Sequence, residues 1–229
     1  MRTNPLILSL DTATSRGTIA ISRNGTVLSE STNEKSSDHA AWLHPAIASL
    51  LETTGLKLSD LDAIAVVGGP GSYTGLRVAM AAAKGFCYAL SIPLISLNTL
   101  ELMASAAIDE STEDALFCPM LDARRMEVFT ALYDRNLHAM LAPQPMILEI
   151  DSFATWLNGH TIIFFGNGSD KYQPMLQDRR AIFRALFYAP THIAKLALRE
   201  FNSGRFADLA YVEPLYLKEF YTPGKLHLT

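Results

Sequence analysis

The apolar and polar positions fall into short, clearly punctuated blocks. Leu6 to Asp11 (LILSLD) is an apolar run ending in an acid, Thr18 to Ser22 alternates, and Thr26 to Ser31 follows an Asn24-Gly25 pair. These read as three strands, the last two joined by a tight hairpin. From Asp38 the period changes to that of a helix, with Leu43, Ile47, Leu50 and Leu51 sharing a face. Ser37 or Asp38 is placed to cap it, Gly55 ends it, and Pro45 should kink or loosen its first turns. Ala63 to Val67 predicts a buried strand feeding the loop GGPGSYTG, residues 68 to 75. A helix from about Leu76 to Leu90, a strand from Pro93 to Leu97 and a helix from about Thr99 to Ile108 follow.

The second half repeats this rhythm more loosely. Strands are expected at Ala115 to Leu121, Glu127 to Tyr133, Leu137 to Leu141 and Thr161 to Phe165, with helices at Ser152 to Leu157 and Thr191 to Asn202. Both halves open on an apolar strand ending in aspartate, Asp11 and Asp122. Hairpin strands followed by α-β crossovers give α/β architecture, mixed sheets with flanking helices. Structural duplication is the economical reading. The acidic stretch Asp109 to Asp114 is the available linker, so the expected division is residues 1–108 and 109–229.

Composition narrows the function. The 229 residues are 49% hydrophobic and 18% charged, a charged fraction below the usual quarter, which suits a protein that covers part of its surface with a partner. The net charge of −4 gives the whole molecule no attraction for nucleic acid or an anionic membrane. Cys87 and Cys118 lie far apart in apolar runs, without a CxxC pair, and read as buried thiols in a reducing compartment. The apolar run near the N-terminus is too short for a signal-peptide core or a membrane span, so a cytoplasmic location is expected.

Three constellations could carry chemistry. Asp11 and Thr12, at the end of the first strand, put a carboxylate and a hydroxyl where such sheets face a phosphate and its magnesium; equally, they could tie the turn to its own backbone. Gly69, Gly71 and Ser72 belong to a glycine loop before a helix, a place where amides can meet a phosphate, yet the loop lacks the lysine of a Walker A motif and misses the dinucleotide spacing. His39 and His44 are five apart, the wrong spacing for a metal pair on one helix face. The helix after the loop carries small residues at spacings of three and four and is apolar nearly all round, so it must be covered on two sides, by its own chain or by another subunit.

ILSLDTATS, SSDHAAWLHPAI, VVGGPGSYTGLRVAMAAAKG, PLISLNTLELMA, LDARRMEVF, FFGNGS and VEPLYLK together resemble the TsaB family, in order and over most of the chain. The resemblance implies two RNase H-like subdomains of the sugar kinase/Hsp70/actin-like superfamily. It also implies a non-catalytic dimerization subunit of the complex that attaches threonylcarbamoyl to N6 of adenosine, next to the anticodon of tRNAs reading codons that begin with A. The catalytic TsaD-like paralogue has a His-x-x-x-His metal pair after the strand matching Pro93 to Leu97; here Ser96 to Met103 holds no histidine. Implied partners are that paralogue, a TsaE-like ATPase, tRNA only through the complex, and a second copy competing for one surface. No membrane, metal or required cofactor is implied, and weak ATP or ADP binding is left open. The contact helices carry over as about Asp38 to Thr54 and Leu76 to Leu90, and helical phase picks Leu43, Ile47, Leu50, Val78, Ala82 and Phe86 as their contact face. On that assignment Ala82→Glu would block pairing and leave the monomer folded. The competing class is a stand-alone enzyme on the same fold, an ATP-dependent kinase or a metallopeptidase.

Overall fold

The computed structural model describes residues 3–35 and 38–217. Strands β1 (Leu6–Asp11), β2 (Gly17–Arg23), β3 (Thr26–Asn33), β4 (Ala63–Gly69) and β5 (Leu94–Asn98) form one five-stranded sheet in the order β3-β2-β1-β4-β5. Strands β6 (Leu116–Asp122), β7 (Glu127–Tyr133), β8 (Ala139–Ile147), β9 (Ile162–Phe165) and β10 (Ala181–Arg184) form another, in the order β10-β9-β6-β7-β8. Read from its other edge, the second order repeats the first. Each central strand, β1 or β6, has an antiparallel meander on one side and two parallel strands on the other. The duplication anticipated from Asp11 and Asp122 is therefore present in the topology, which is that of two RNase H-like α/β units of the sugar kinase/Hsp70/actin-like kind.

Side-chain alternation along the central strands builds the layers. Leu6, Leu8 and Leu10 of β1 point to α1 (His39–Thr54) and α2 (Tyr73–Leu90), while Ile7 points to the opposite face. That opposite face is covered by α6 (Pro190–Asn202) through Ile193, Leu196, Ala197 and Phe201. In the second sheet Phe117 and Leu121 of β6 meet α3 (Thr99–Glu110), whereas Leu116, Cys118 and Met120 pack with Leu157 of α4 (Ala154–Leu157) and Tyr172 of α5 (Ser169–Tyr172). Helix α3 serves both sheets. It sends Leu102 to the first and Leu100, Met103, Ala104 and Ala107 to the second, which explains an apolar surface wider than one face. Cys87 and Cys118 are free and buried, and burial pushes their thiols up to about 11 and about 12.

Several elements depart from the sequence-based expectation. Helix α1 runs unbroken through Pro45; Asp38 occupies its cap position without a side-chain cap bond, and Gly55 closes it in the left-handed conformation, φ 66°. Ser37, the other candidate cap, lies outside the described residues. Helix α2 begins at Tyr73, three residues early, because Ser72 Oγ accepts from Gly75 N and caps it. Strand β8 starts later than expected and extends to Ile147 through Pro143 and Pro145, which an edge strand tolerates because its outer N–H groups have no ladder partner to lose. Strand β10 and helix α5, four residues each, are too short for their periodicity to be read.

Chain connectivity also crosses the expected division at residues 108 and 109. After the second sheet the chain returns to the first: α6 covers one face, Ala207 N donates to Leu94 O at 2.8 Å, and Leu215 N donates to Gly68 O at 2.7 Å. The acidic linker is pinned as well. Asp109 takes Lys195 Nζ at 2.6 Å, Arg135 bonds the Ser111 carbonyl at 3.0 Å, and Glu113 pairs with Arg184. A fragment ending at residue 108 would expose the face that α6 covers. Residues 1–108 expressed alone are expected to give no cooperative urea transition, whereas Phe201→Ala in the full chain should cost about 3–5 kcal/mol of unfolding free energy.

Candidate functional site

A cleft of about 670 Å³ opens between the two sheets at the carboxyl ends of β1 and β6. One wall is the β1–β2 turn, Asp11 and Ala13 to Arg16, with Gly71 and Ser72; facing it are Asp122, Asn167 and the segment from Leu186 to Pro190. The floor, with Met103, Leu121, Phe129 and Ile193, is apolar. Among the sequence-predicted turn residues Asp11, Gly71 and Ser72 line the cleft, and Thr12 and Gly69 do not.

Asp11 lines this cleft but is almost fully buried. Oδ1 accepts Ala13 N at 2.9 Å, and Oδ2 accepts the Tyr188 hydroxyl at 2.8 Å. Desolvation outweighs both bonds and a favourable field from His39, and raises the carboxyl to about 6. Tyr188, 177 residues further along the chain, packs against the apolar clusters of both sheets. Its ring stitches the two halves together where a phosphate or its metal would otherwise approach Asp11. No sequence signal marked Tyr188, since it lies in the irregular segment between β10 and α6. Asp122, the equivalent strand end, is partly exposed; Lys171 Nζ at 2.6 Å and its neighbouring bonds hold its carboxyl below the usual range.

The glycine loop is used internally. A Cβ on Gly75 would run into the Thr12 carbonyl oxygen, and one on Gly71 into that of Ala13. The close approach allows Ser72 N to donate to Ala13 O at 2.6 Å and Thr12 Oγ1 to donate to Gly75 O at 2.6 Å. Thr12 is fully buried by this bond, and Gly69, at φ 116°, lies against the Leu215 backbone. Of the amides near the N-terminus of α2, Ser72 N and Gly75 N are thus already engaged. Among the described residues no group of three or more His, Cys, Asp or Glu side chains is placed to hold a metal ion.

The predicted contact face of the two helices needs correction. Leu43, Ile47, Leu50 and Ala82 are buried in the chain's own core, and Val78 and Phe86 are half-buried against it. Helical phase selected the most apolar stripe, and that stripe faces the sheet. Ala82→Glu would therefore test folding. The outward face consists instead of Ala41, His44, Pro45 and Ala48 on α1, and Ala81, Gly85, Tyr88 and Ala89 on α2, with Tyr88 81% exposed. The helices meet where the His44 and Phe86 rings lie 5.6 Å apart.

A family model described as TsaD, tRNA N6-adenosine threonylcarbamoyltransferase, matches residues 26–211. Within that class the similarity is to TsaB proteins. The chain is 31% identical over 179 residues to the tRNA threonylcarbamoyladenosine biosynthesis protein TsaB of Bacillus subtilis, covering 75% of each chain, and 27% identical over 224 residues to TsaB of Escherichia coli, covering 93% and 94%. Its fold matches YeaZ from Pseudomonas aeruginosa with a TM-score of 0.78 at 27% identity, over 93% of this chain and 100% of that one. The chain belongs to the TsaD family and, within it, to the TsaB proteins.

A carboxyl raised from 3.8 to about 6 binds its proton more tightly folded than unfolded, so its stabilising contribution is present at low pH and is lost as pH rises through 6. Asp11→Asn keeps an acceptor for Ala13 N and removes the charge. Its stability relative to the parent chain, from urea unfolding, should improve by roughly 2–3 kcal/mol between pH 4 and pH 8. A difference that stays flat across that range would mean Asp11 titrates normally.

Proposed function

We propose that this chain is the non-catalytic, dimerising subunit of the machinery that transfers threonylcarbamoyl to N6 of adenosine beside the anticodon of tRNAs reading codons that begin with A. It docks a TsaD-like catalytic paralogue through the outward face of α1 and α2. The observation that carries this reading is that face, composed largely of alanine, glycine, proline and aromatic side chains. Glu52 is the single acid on the two helices, and Lys84 is turned to the Val212 carbonyl at 3.0 Å. Small residues let a second pair of helices approach closely, and sparse charge lowers the desolvation cost of covering them. Membership of the TsaB proteins supports the assignment to tRNA modification.

The cleft supports a subunit without chemistry of its own. Tyr188 caps the carboxylate, the glycine loop gives its Ser72 amide to the β1–β2 turn and its Gly75 amide to the Ser72 hydroxyl, and the stretch from Ser96 to Met103 holds no histidine pair. A stand-alone kinase or metallopeptidase would need those groups free. ATP or ADP binding to the isolated chain is weak on this reading, and a TsaE-like ATPase is engaged by the assembled pair. tRNA is met only through the complex, in the cytoplasm, and a second copy of the chain competes with the paralogue for the same face. Among the described residues no helix is long and apolar enough to cross a membrane.

Gly85 gives the sharpest test. A Cβ there meets nothing within 4 Å, so Gly85→Glu should leave the fold intact and stabilise α2 by about 0.5–1 kcal/mol. Buried in an interface without a partner, the new carboxylate should weaken binding to the paralogue by about a hundredfold or more and lower product in a reconstituted modification assay correspondingly. Undiminished binding by a folded Gly85→Glu chain would place the interface elsewhere.

A further inference from the structure

Arg77, near the start of α2, is exposed, yet its guanidinium is fixed in place by aromatic rings. Its Cζ lies 4.0 Å from the Tyr73 ring centroid and 5.8 Å from that of Tyr216. Nε donates to the Tyr216 hydroxyl at 2.9 Å, and the two rings are 5.2 Å apart. Tyr216 reaches this spot because Leu215 N is anchored to Gly68 O and Lys84 Nζ holds the Val212 carbonyl. A segment from the far end of the chain is thus laid along α2 and completes the setting of one cation.

Among the described residues no acid answers that cation. Arg16, Arg184, Arg199 and Arg205 each pair with a glutamate and Arg180 with Asp178, whereas Arg77, like Arg135, is held by other groups with no acidic side chain paired to it among the described residues. The first turn of α2 holds no acid either. A planar donor fork held by stacking loses little freedom when it captures a carboxylate. Tyr73, Leu215 and Tyr216, 36%, 39% and 38% exposed, surround it with the aromatic and arginine composition typical of interface hot spots.

We infer that Arg77 is a carboxylate receptor: an acidic side chain on the TsaD-like paralogue docks on its guanidinium as the adjoining α1/α2 face closes. The inference rests on the docking reading above and gives it a charged anchor at the N-terminal end of α2. The paralogue is taken as the occupant because Arg77 continues the exposed face of α2 through Ala81 and Gly85 that the proposed docking covers, whereas a facing copy offers Glu52 as the single acid on its α1 and α2 helices.

The test measures binding between the full chain and the paralogue from the same organism by titration calorimetry at low and high salt, with Gly85→Glu as the control for the face. Arg77→Ala should weaken binding by about tenfold or more at low salt and flatten the salt dependence of Kd. Arg77→Lys, which keeps the charge and loses the fork, should fall between the two, and it provides the test if the alanine variant melts early. Arg77→Ala or Arg77→Lys binding within about twofold of the parent chain at both salts, while Gly85→Glu abolishes association, overturns the receptor and leaves the docking face standing. Failure of the parent chain to bind the paralogue overturns both. Weakened self-association with unchanged paralogue binding also overturns it, because the occupant is then a second copy.

Discussion

Backbone against backbone, with no side chain between, the β1–β2 turn lies on the glycine loop, and much of the molecule depends on that contact. Gly71 and Gly75 are required because a Cβ at either would collide with the carbonyl of Ala13 or Thr12. Two short bonds, from Ser72 N to Ala13 O and from Thr12 Oγ1 to Gly75 O, lock the start of α2 to the end of the central strand. A helix fixed at its first turn presents a defined outer face along its whole length. The same bonds consume groups that a phosphate site would need.

The second organising feature is the middle layer. Helix α3 packs on both sheets and α6 lies beside it on the first, and each half of the duplicated chain borrows cover from the other: α3 follows β5 and packs on β6 and β7, and α6 follows β10 and packs on β1 to β3. Tyr188 ends this exchange at the cleft, where its hydroxyl meets Asp11. Two units sharing helices this way move less freely than two joined by a solvated linker, and the linker is itself held by Arg135, Arg184 and Lys195. Such stiffness suits a platform.

Much of the fold was legible in the sequence because its main elements are long and strongly patterned. The run from Leu6 to Asp11, the Asn24-Gly25 turn, the helix closed by Gly55 and the duplicated strand-end aspartates all appear where their patterns put them. The contact face was misread for a physical reason. Hydrophobic periodicity reports the stripe a helix buries, and on α1 that stripe belongs to the sheet; the outward face proposed for docking, made of Ala, Gly and Pro, has almost no periodic signal. Tyr188, Arg77 and Tyr216 were out of reach because their roles depend on contacts between positions more than a hundred residues apart.

A ligand site and a docking site ask opposite things of a folded chain. To hold a phosphate, the turn and the glycine loop would have to leave donors unsatisfied until the ligand arrived; here Ser72 N and Gly75 N are already bonded within the chain, and the nearby carboxylate is buried under a tyrosine of its own. On the outside lie a face nearly free of charge and, beside it, the Arg77 guanidinium held by aromatic rings with no acid paired to it among the described residues. Unmet capacity for interaction has moved from the cleft to the surface, and the close contact that rigidifies α2 is what allows the surface to use it.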